Sequence, residues 1–440
     1  MPTLDVLAAT VERMLSRDGA RSEATLQSDI RQFLLLSSFG LDDDEVRSVN
    51  LESQLGDGTR RRIDIEAGNS VIEVKKDLRV GNVRADAVSQ LAGYVQEQSH
   101  RLARRYVGIL TDGVEWFLYR LTPDGSELSK VAKLVLSPPA ADASERLTVW
   151  LDTILATAEN IAPLPVEIER RLGVTSAAYQ LDSATLTDLY RGAQGNAEVT
   201  LKRMLWAKLL RTSFGTAFTD SDDLFIDHTL LVLTAEIIAH AVIGFEPAEM
   251  IADPDGVVSG RLFADSQVHG VVEADFFDWV LDVPGGREFV VTLTQRLARF
   301  NWRDVSHDVL KVLYESVITA ETRHSLGEYY TPDWLANRIV AETYTEPLNQ
   351  RVLDPSCGSG TFVFQAIRAY LNAADDANVP NGDALAGLTG HVFGVDVHPV
   401  AVTLARVTYL LAIGHGRLTA SDRKALSVPV YLGERGYPEP

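Results

Sequence analysis

The chain has 440 residues, 46% of them hydrophobic and 23% charged, which is long enough for two or three domains with separate cores. Its one cysteine, Cys357, excludes an internal disulfide framework and fits a reducing cytoplasm. A net charge of −20 argues against a generally nucleic-acid-coating protein, and the N-terminus, which carries Asp5 and Glu12, lacks the basic-then-apolar layout of a signal peptide.

Residues 20 to about 40 read as an amphipathic helix, capped by Ser22, with Glu23 at its start and Leu26, Ile30, Phe33 and Leu34 on one side. Strands are expected at 47–53 and 61–66, joined by the DG at 57–58 as a hairpin, and a third in SVIEVK at 70–75. A helix over 83–104 precedes two more strands, YVGILTD and VEWFLYRL, joined by DG at 112–113. LSPPAADAS (136–144) reads as a linker, and from 145 to about 320 the pattern is helical apart from a Gly/Asp/Pro-rich loop at 251–270. The longest apolar run, TLLVLTAEIIAHAVIGF, holds Glu236 and His240 and is read as a buried helix with no membrane role. From about 324 the order becomes loop, helix, strand, glycine loop, helix, strand, the signature of a parallel α/β domain.

Chemistry-bearing residues gather at both ends. Near the N-terminus Asp64 lies on one expected strand, and Glu73 and Lys75, one residue apart, point to the same face of the next. Two carboxylates and an ammonium at a sheet edge suit phosphodiester cleavage: carboxylates hold Mg²⁺, and the lysine orients the nucleophile. Glu23 completes the metal shell in this reading. Gln90 and Tyr94, four apart, share a helix face. The competing reading of IEVKK is a charged surface strand, and the basic clusters at Arg60–Arg62, Lys75–Arg79 and Arg101–Arg105 read first as solvated faces. The ordered series of Glu23, Asp64, Glu73-x-Lys75 and Gln90-xxx-Tyr94 resembles the PD-(D/E)xK nuclease superfamily, and specifically the nuclease domains of type I and type II restriction enzymes. The resemblance implies catalytic roles for Asp64, Glu73, Lys75 and Gln90 and a metal shell of Glu23, Asp64 and Glu73.

In the C-terminal part, VLDPSCGSGTF (352–362) is an apolar run ending in an acid, then a glycine loop entering a helix, which lets a cofactor approach the backbone. Asp396, ending the next strand, is placed for vicinal ribose hydroxyls. A nicotinamide fingerprint is not met, because Gly358 and Gly360 are followed at 363 by Val. Together, GEYYTP, DPSCGSGTF and GVDVHPVAVTLAR resemble motifs X, I and II of γ-class DNA adenine-N6 methyltransferases. That resemblance implies S-adenosylmethionine, with Tyr330, Thr331, Pro332, Asp354, Gly358, Gly360 and Asp396 around it. Cys357 sits where a small residue is expected, which favours a structural role over a nucleophile. Adenine methylation also needs a (D/N/S)PP-aromatic motif. The only Pro-Pro is Pro138-Pro139, followed by Ala140. The middle segment resembles the helical connector of fused type IIG/IIL nuclease–methyltransferases; helix capping and surface positions account for its His228, Asp275 and Asp278 better than a metal does.

The expectation is an α/β multidomain chain: a restriction-endonuclease-like α/β domain (1–136), an all-helical connector (137–305) and a partial Rossmann-like methyltransferase domain (306–440). It reads as the N-terminal portion of a restriction–modification or phage-defence enzyme acting on double-stranded DNA, with a partner chain supplying the NPPY half and the target-recognition domain. The alternatives are a nuclease that uses S-adenosylmethionine only as an allosteric ligand, and a non-catalytic binding subunit. Residues from 430 are expected to pack irregularly.

Overall fold

A computed structural model describes residues 4–16, 21–37, 39, 46–52, 60–102, 105–155, 160–272, 276–305, 308–325 and 331–433. The architecture is mixed α/β with many helices. It separates into two compact units, one of residues 1–159 with 175–184, the other of 160–174 with 185–440.

The first unit is built on one mixed sheet in sequential order, β1 (Val46–Glu52), β2 (Arg60–Ala67), β3 (Ser70–Val74), β4 (Val107–Thr111), β5 (Glu115–Leu121) and β6 (Leu128–Val135). β1 and β2 pair antiparallel as expected, although the DG at 57–58 lies outside the described residues. Only β3 and β4 run parallel, because the helix α3 (Val83–Leu102) carries the chain back between them. Two cores result. One sheet face packs Ile65, Ile72, Val74, Ile109, Trp116 and Leu118 against α1 (Leu4–Leu15), α2 (Glu23–Leu36) and α4 (Ala140–Leu155). The other packs Val71, Leu110 and Phe117 against Leu91, Tyr94 and Val95 of α3.

Ser22 caps α2 by accepting the Thr25 amide, and Leu26, Ile30, Phe33 and Leu34 are its buried stripe. The helix holding Glu23 is the second in the chain, however. The first, α1, was not anticipated; its Arg13 binds Asp29 of α2 at 2.8 Å.

In the second unit the helix Asp222–Ile243 is buried almost throughout and packs on Pro399–Ile413. It is long and apolar enough to cross a membrane, and 83% of its most apolar window is buried inside the protein. The expected loop at 251–270 instead holds two short helices, Pro254–Val258 and Arg261–Asp265, and the strand β7 (Val268–His269). Asp253 caps the first by accepting the Gly256 amide, and Gly260 makes the left-handed turn between them. Three parallel strands, β8 (Val352–Asp354), β9 (Val392–Asp396) and, after β10 (Leu426–Ser427) on β7, β11 (Val430–Leu432), form a sheet in the order β11-β9-β8. Residues 430–432 are therefore a strand and not irregular, while 434–440 lie outside the described residues. Val430, Tyr431 and Leu432 pair with Gly394, Val395 and Asp396, because the buried Val430 side chain and the Gly433 amide on the Asp396 carbonyl lock the register.

Gly113, in the β4–β5 turn, has φ +86°, and a Cβ there would sit 2.9 Å from Leu26 Cδ1 and from the Met14 carbonyl. Gly113→Ala is expected to destabilise the first unit by about 2–3 kcal/mol. Urea unfolding followed by tryptophan fluorescence checks this; a midpoint equal to wild type would contradict it.

Candidate functional site

Register brings the N-terminal residues together. β2 and β3 pair from Ala67–Ser70 up to Ile65–Ile72, so the next position sets Asp64 beside Glu73. There the backbone ladder gives way to a side chain: Asp64 Oδ2 accepts the Val74 amide at 2.8 Å. Glu73 is 1% exposed, and Lys75 Nζ donates to its Oε1 at 2.5 Å. Burial, then the nearby Asp64, push the Glu73 carboxyl up to about 7, against the pull of Lys75; Glu23, at the start of α2, adds to the rise. Burial opposes the charge on Lys75, but Glu73, Glu23 and Asp64 outweigh it and hold the ammonium above its ordinary value. Glu23, Asp64, Glu73 and Lys75 thus form one electrostatic cluster. Gln90 stands on the exposed side of α3 and donates to the buried Tyr94 Oη at 2.7 Å.

The donor set suits a hard divalent cation. Glu73 Oε2 is buried with no hydrogen-bond partner, a cost that a cation at that oxygen would remove. Among the described residues, no three of His, Cys, Asp or Glu stand close enough to hold an ion as they are.

The second site lies where β8 and β9 end side by side. Asp354 closes β8, its Oδ1 accepts the Ser356 amide at 3.1 Å, and burial raises its carboxyl above the ordinary range. The chain then turns through Cys357, whose amide reaches the Val395 carbonyl of β9 at 3.0 Å, and enters the helix Thr361–Asp376 with Gly360 as its cap. Asp396 spans the gap: Oδ2 accepts the Gly358 amide at 2.8 Å and Oδ1 the His398 amide at 2.9 Å. Each oxygen keeps a further acceptor position for a diol.

The two loop glycines answer to different demands. A Cβ on Gly360 would lie 3.2–3.3 Å from Thr408 and Ala405, so close helix packing requires it, and its φ is +100°. A Cβ on Gly358, φ +53°, would meet nothing within 4 Å; it faces open space beside the free amides of a helix start. Ser359 Oγ, between them, is buried without a partner. An open cradle, free amides and a carboxylate with spare acceptors fit a nucleoside-bearing cofactor. Burial pushes the Cys357 thiol up, with Asp396 and Asp354 adding to the rise, which keeps it from acting as a thiolate.

Pro332 caps the helix Asp333–Thr343, and the Thr331 carbonyl accepts from Lys311 Nζ. Tyr330 lies outside the described residues, as does Asp275. His228 is fully buried and accepts from Trp206 Nε1 at 3.2 Å; burial holds its imidazole well below its ordinary pKa. Asp278 pairs with Lys202 at 2.9 Å. Sequence reading missed Asp308, a buried carboxylate bonded to Thr361 Oγ1 at 3.1 Å. The signal was available: Asp308 immediately precedes the apolar-periodic VLKVLYESV and caps it.

Residues 305–420 match the family model described as N-6 DNA Methylase. The adenine-specific methyltransferase PglX of Streptomyces coelicolor is 28% identical over 131 residues, 27% of this chain and 11% of that protein. The methylase subunit of the type I restriction enzyme MjaVIII of Methanocaldococcus jannaschii is 26% identical over 150 residues, 34% of this chain and 22% of that protein. The chain therefore spans only 11% and 22% of the lengths of these two relatives. Among solved structures, a DrdV–DNA complex aligns with 94% of this chain and 38% of its own, at 14% identity and TM-score 0.32. The type IIG restriction endonuclease BpuSI aligns with 96% of this chain and 41% of its own, at 12% identity and TM-score 0.26.

The raised Glu73 carboxyl carries a stability signature. Its folded value, about 7, lies above the ordinary 4.5, so the folded state binds the proton more tightly. The contribution is fully present below about pH 4.5 and is lost as pH rises through 7, a change of up to about 3 kcal/mol. Unfolding in chelator at pH 5 and pH 8 is expected to show this fall for wild type and not for Glu73→Gln. Parallel curves for the two would contradict it.

Proposed function

We propose that this chain is part of a DNA restriction–modification or phage-defence enzyme, with a Mg²⁺-dependent endonuclease site and an S-adenosylmethionine site for adenine-N6 methylation of double-stranded DNA. The proposed division is a nuclease domain over 1–136, a helical connector over 137–305 and the cofactor half of the methyltransferase over 306–440. The observation that carries it is the coincidence, inside the 305–420 family match, of an open glycine cradle at Gly358 with the Asp396 carboxylate at its rim. The names of the two curated relatives, an adenine-specific methyltransferase and a restriction methylase subunit, support the same reading.

In this reading Asp354 shapes the loop around the methionine end, Asp396 holds the ribose, and Thr331 and Pro332, with Tyr330, line the adjoining wall. The cofactor supplies an electrophilic methyl group. In this reading a partner chain supplies the polar group that accepts from the adenine amine and the aromatic that stacks on the flipped base. At the other site, Asp64 and Glu73, joined by Glu23, would hold Mg²⁺, which would supply an activated water and charge neutralisation at the phosphate. Lys75 orients the nucleophile and steadies the developing charge. Gln90 and Tyr94 contact DNA or brace this active site.

Calorimetry is expected to give one S-adenosylmethionine site, weakened at least tenfold in Asp396→Ala, about 1.4 kcal/mol. No heat with wild type would remove the methyltransferase half of the reading. Nicking of supercoiled phage DNA is expected to need Mg²⁺ and to fall at least 100-fold in Glu73→Ala and Lys75→Ala. Undiminished nicking in both would exclude this nuclease site.

A further inference from the structure

We infer that Asp308 and Lys311, at the start of the helix Val309–Val317, are positioning residues that brace the two separate segments of the methyl-donor pocket against each other. The inference rests on the S-adenosylmethionine reading above. The two segments are the Thr331–Pro332 turn and the start of the helix that follows the glycine loop, and no continuous strand or helix joins them.

Asp308 is 3% exposed. Its Oδ1 accepts the Lys311 amide at 3.0 Å, and its Oδ2 accepts the Thr361 hydroxyl at 3.1 Å. Thr361 is the first residue of the helix after Gly360, so this bond sets where the free amides of that helix start point. Lys311 is 9% exposed and works in the other direction. Its Nζ donates to the Thr331 carbonyl at 2.7 Å and to Asp333 Oδ1 at 2.8 Å. Seven residues along the same helix as Thr361, Arg368 Nη2 donates to the Val305 carbonyl at 3.1 Å, so the segment before Val309 is tied to that helix at two turns. Val305, Asp308 and Lys311 therefore grip both walls of the pocket.

Buried polar pairs are a costly way to gain stability, and apolar packing of the same volume would serve as well. Their advantage is direction: a hydrogen bond fixes an angle that a methyl contact does not. A cofactor that must present its methyl group to an adenine needs both walls at set angles. The charged groups facing Asp308 are Lys311 on its own helix and Asp333 on the helix of the other wall; Arg368 faces the same segment. Burial raises the Asp308 carboxyl to about 6. Below that pH the protonated group gives up acceptor capacity, so cofactor affinity is expected to decline from pH 7 to pH 5.

The test is calorimetric titration of S-adenosylmethionine into the full 440-residue chain. Thr361→Ser keeps the hydroxyl and is expected to bind within twofold of wild type. Thr361→Val keeps the volume but loses the bond, and is expected to bind at least fivefold more weakly. Asp308→Asn is expected to lose the pH 5–7 dependence, and Lys311→Met to bind at least tenfold more weakly. Mg²⁺-dependent nicking by each variant reports on the rest of the fold. If Lys311→Met proves too unstable to titrate, hydrogen exchange on Thr361→Val is expected to show faster exchange at 358–363 than in Thr361→Ser. No heat with wild type overturns the methyl-donor reading and the brace with it. Heat with wild type and equal affinity for Thr361→Val and Thr361→Ser overturns the brace alone, as does equal hydrogen exchange in those two variants.

Discussion

A carboxylate taken out of water must be given donors, and in this chain the donors are largely backbone amides. Asp64 takes the amide of Val74, and Asp112 takes those of Leu78, Val114 and Glu115. In the second unit Asp396 takes Gly358 and His398, and Asp308 takes Lys311. Each of these bonds decides where a strand stops or a loop turns. The geometry of both candidate sites depends on them. Glu73 differs from these: its partner is a lysine, and its second oxygen has none. Its site is left with unmet electrostatic demand, while the loops around it are settled.

Much of this was legible because local chemistry and tertiary packing agree. Ser22 before an apolar-periodic run gave the α2 start and its buried stripe, and the DG at 112–113 gave the β4–β5 hairpin. The alternation of Asp64 and Glu73-x-Lys75 sufficed to place Asp64 and Glu73 on adjoining strands, with Lys75 one residue past the end of β3. Other elements were hidden for physical reasons. In 251–270, Gly, Asp and Pro read as loop, yet Pro at helix starts and Asp253 as a cap are helix signals when the helices are only five residues long. The pairing of Val430–Leu432 with β9 is a long-range contact with no local signature. So is the Asp308–Thr361 bond, which joins residues 53 apart.

The helix Asp222–Ile243 illustrates how apolar composition alone misleads. Several of its polar groups are satisfied: Thr229 Oγ1 donates to the Phe225 carbonyl and accepts from Trp279 Nε1, and His240 Nδ1 meets the Glu236 carbonyl, while the Nε2 atoms of His228 and His240 are buried without a partner. Burial keeps both imidazoles neutral, so the helix carries no histidine charge into the core. Its neighbour Pro399–Ile413, which begins three residues after the Asp396 strand ends, is buried throughout. The glycine loop at 358–360 is thus backed by a layer with little freedom to shift.

Gly358 and Gly360 differ in what they would reveal over evolutionary time. Gly360 is held by the packing of Thr408 and Ala405 and would persist in any descendant that keeps the fold. Gly358 sits in the left-handed region that asparagine and aspartate also occupy, and it has empty space in front of it. A lineage released from binding its ligand would therefore drift at 358 while 360 stayed glycine. On the proposed reading, loss of glycine at 358 with glycine kept at 360 is what a scaffold without its ligand would show.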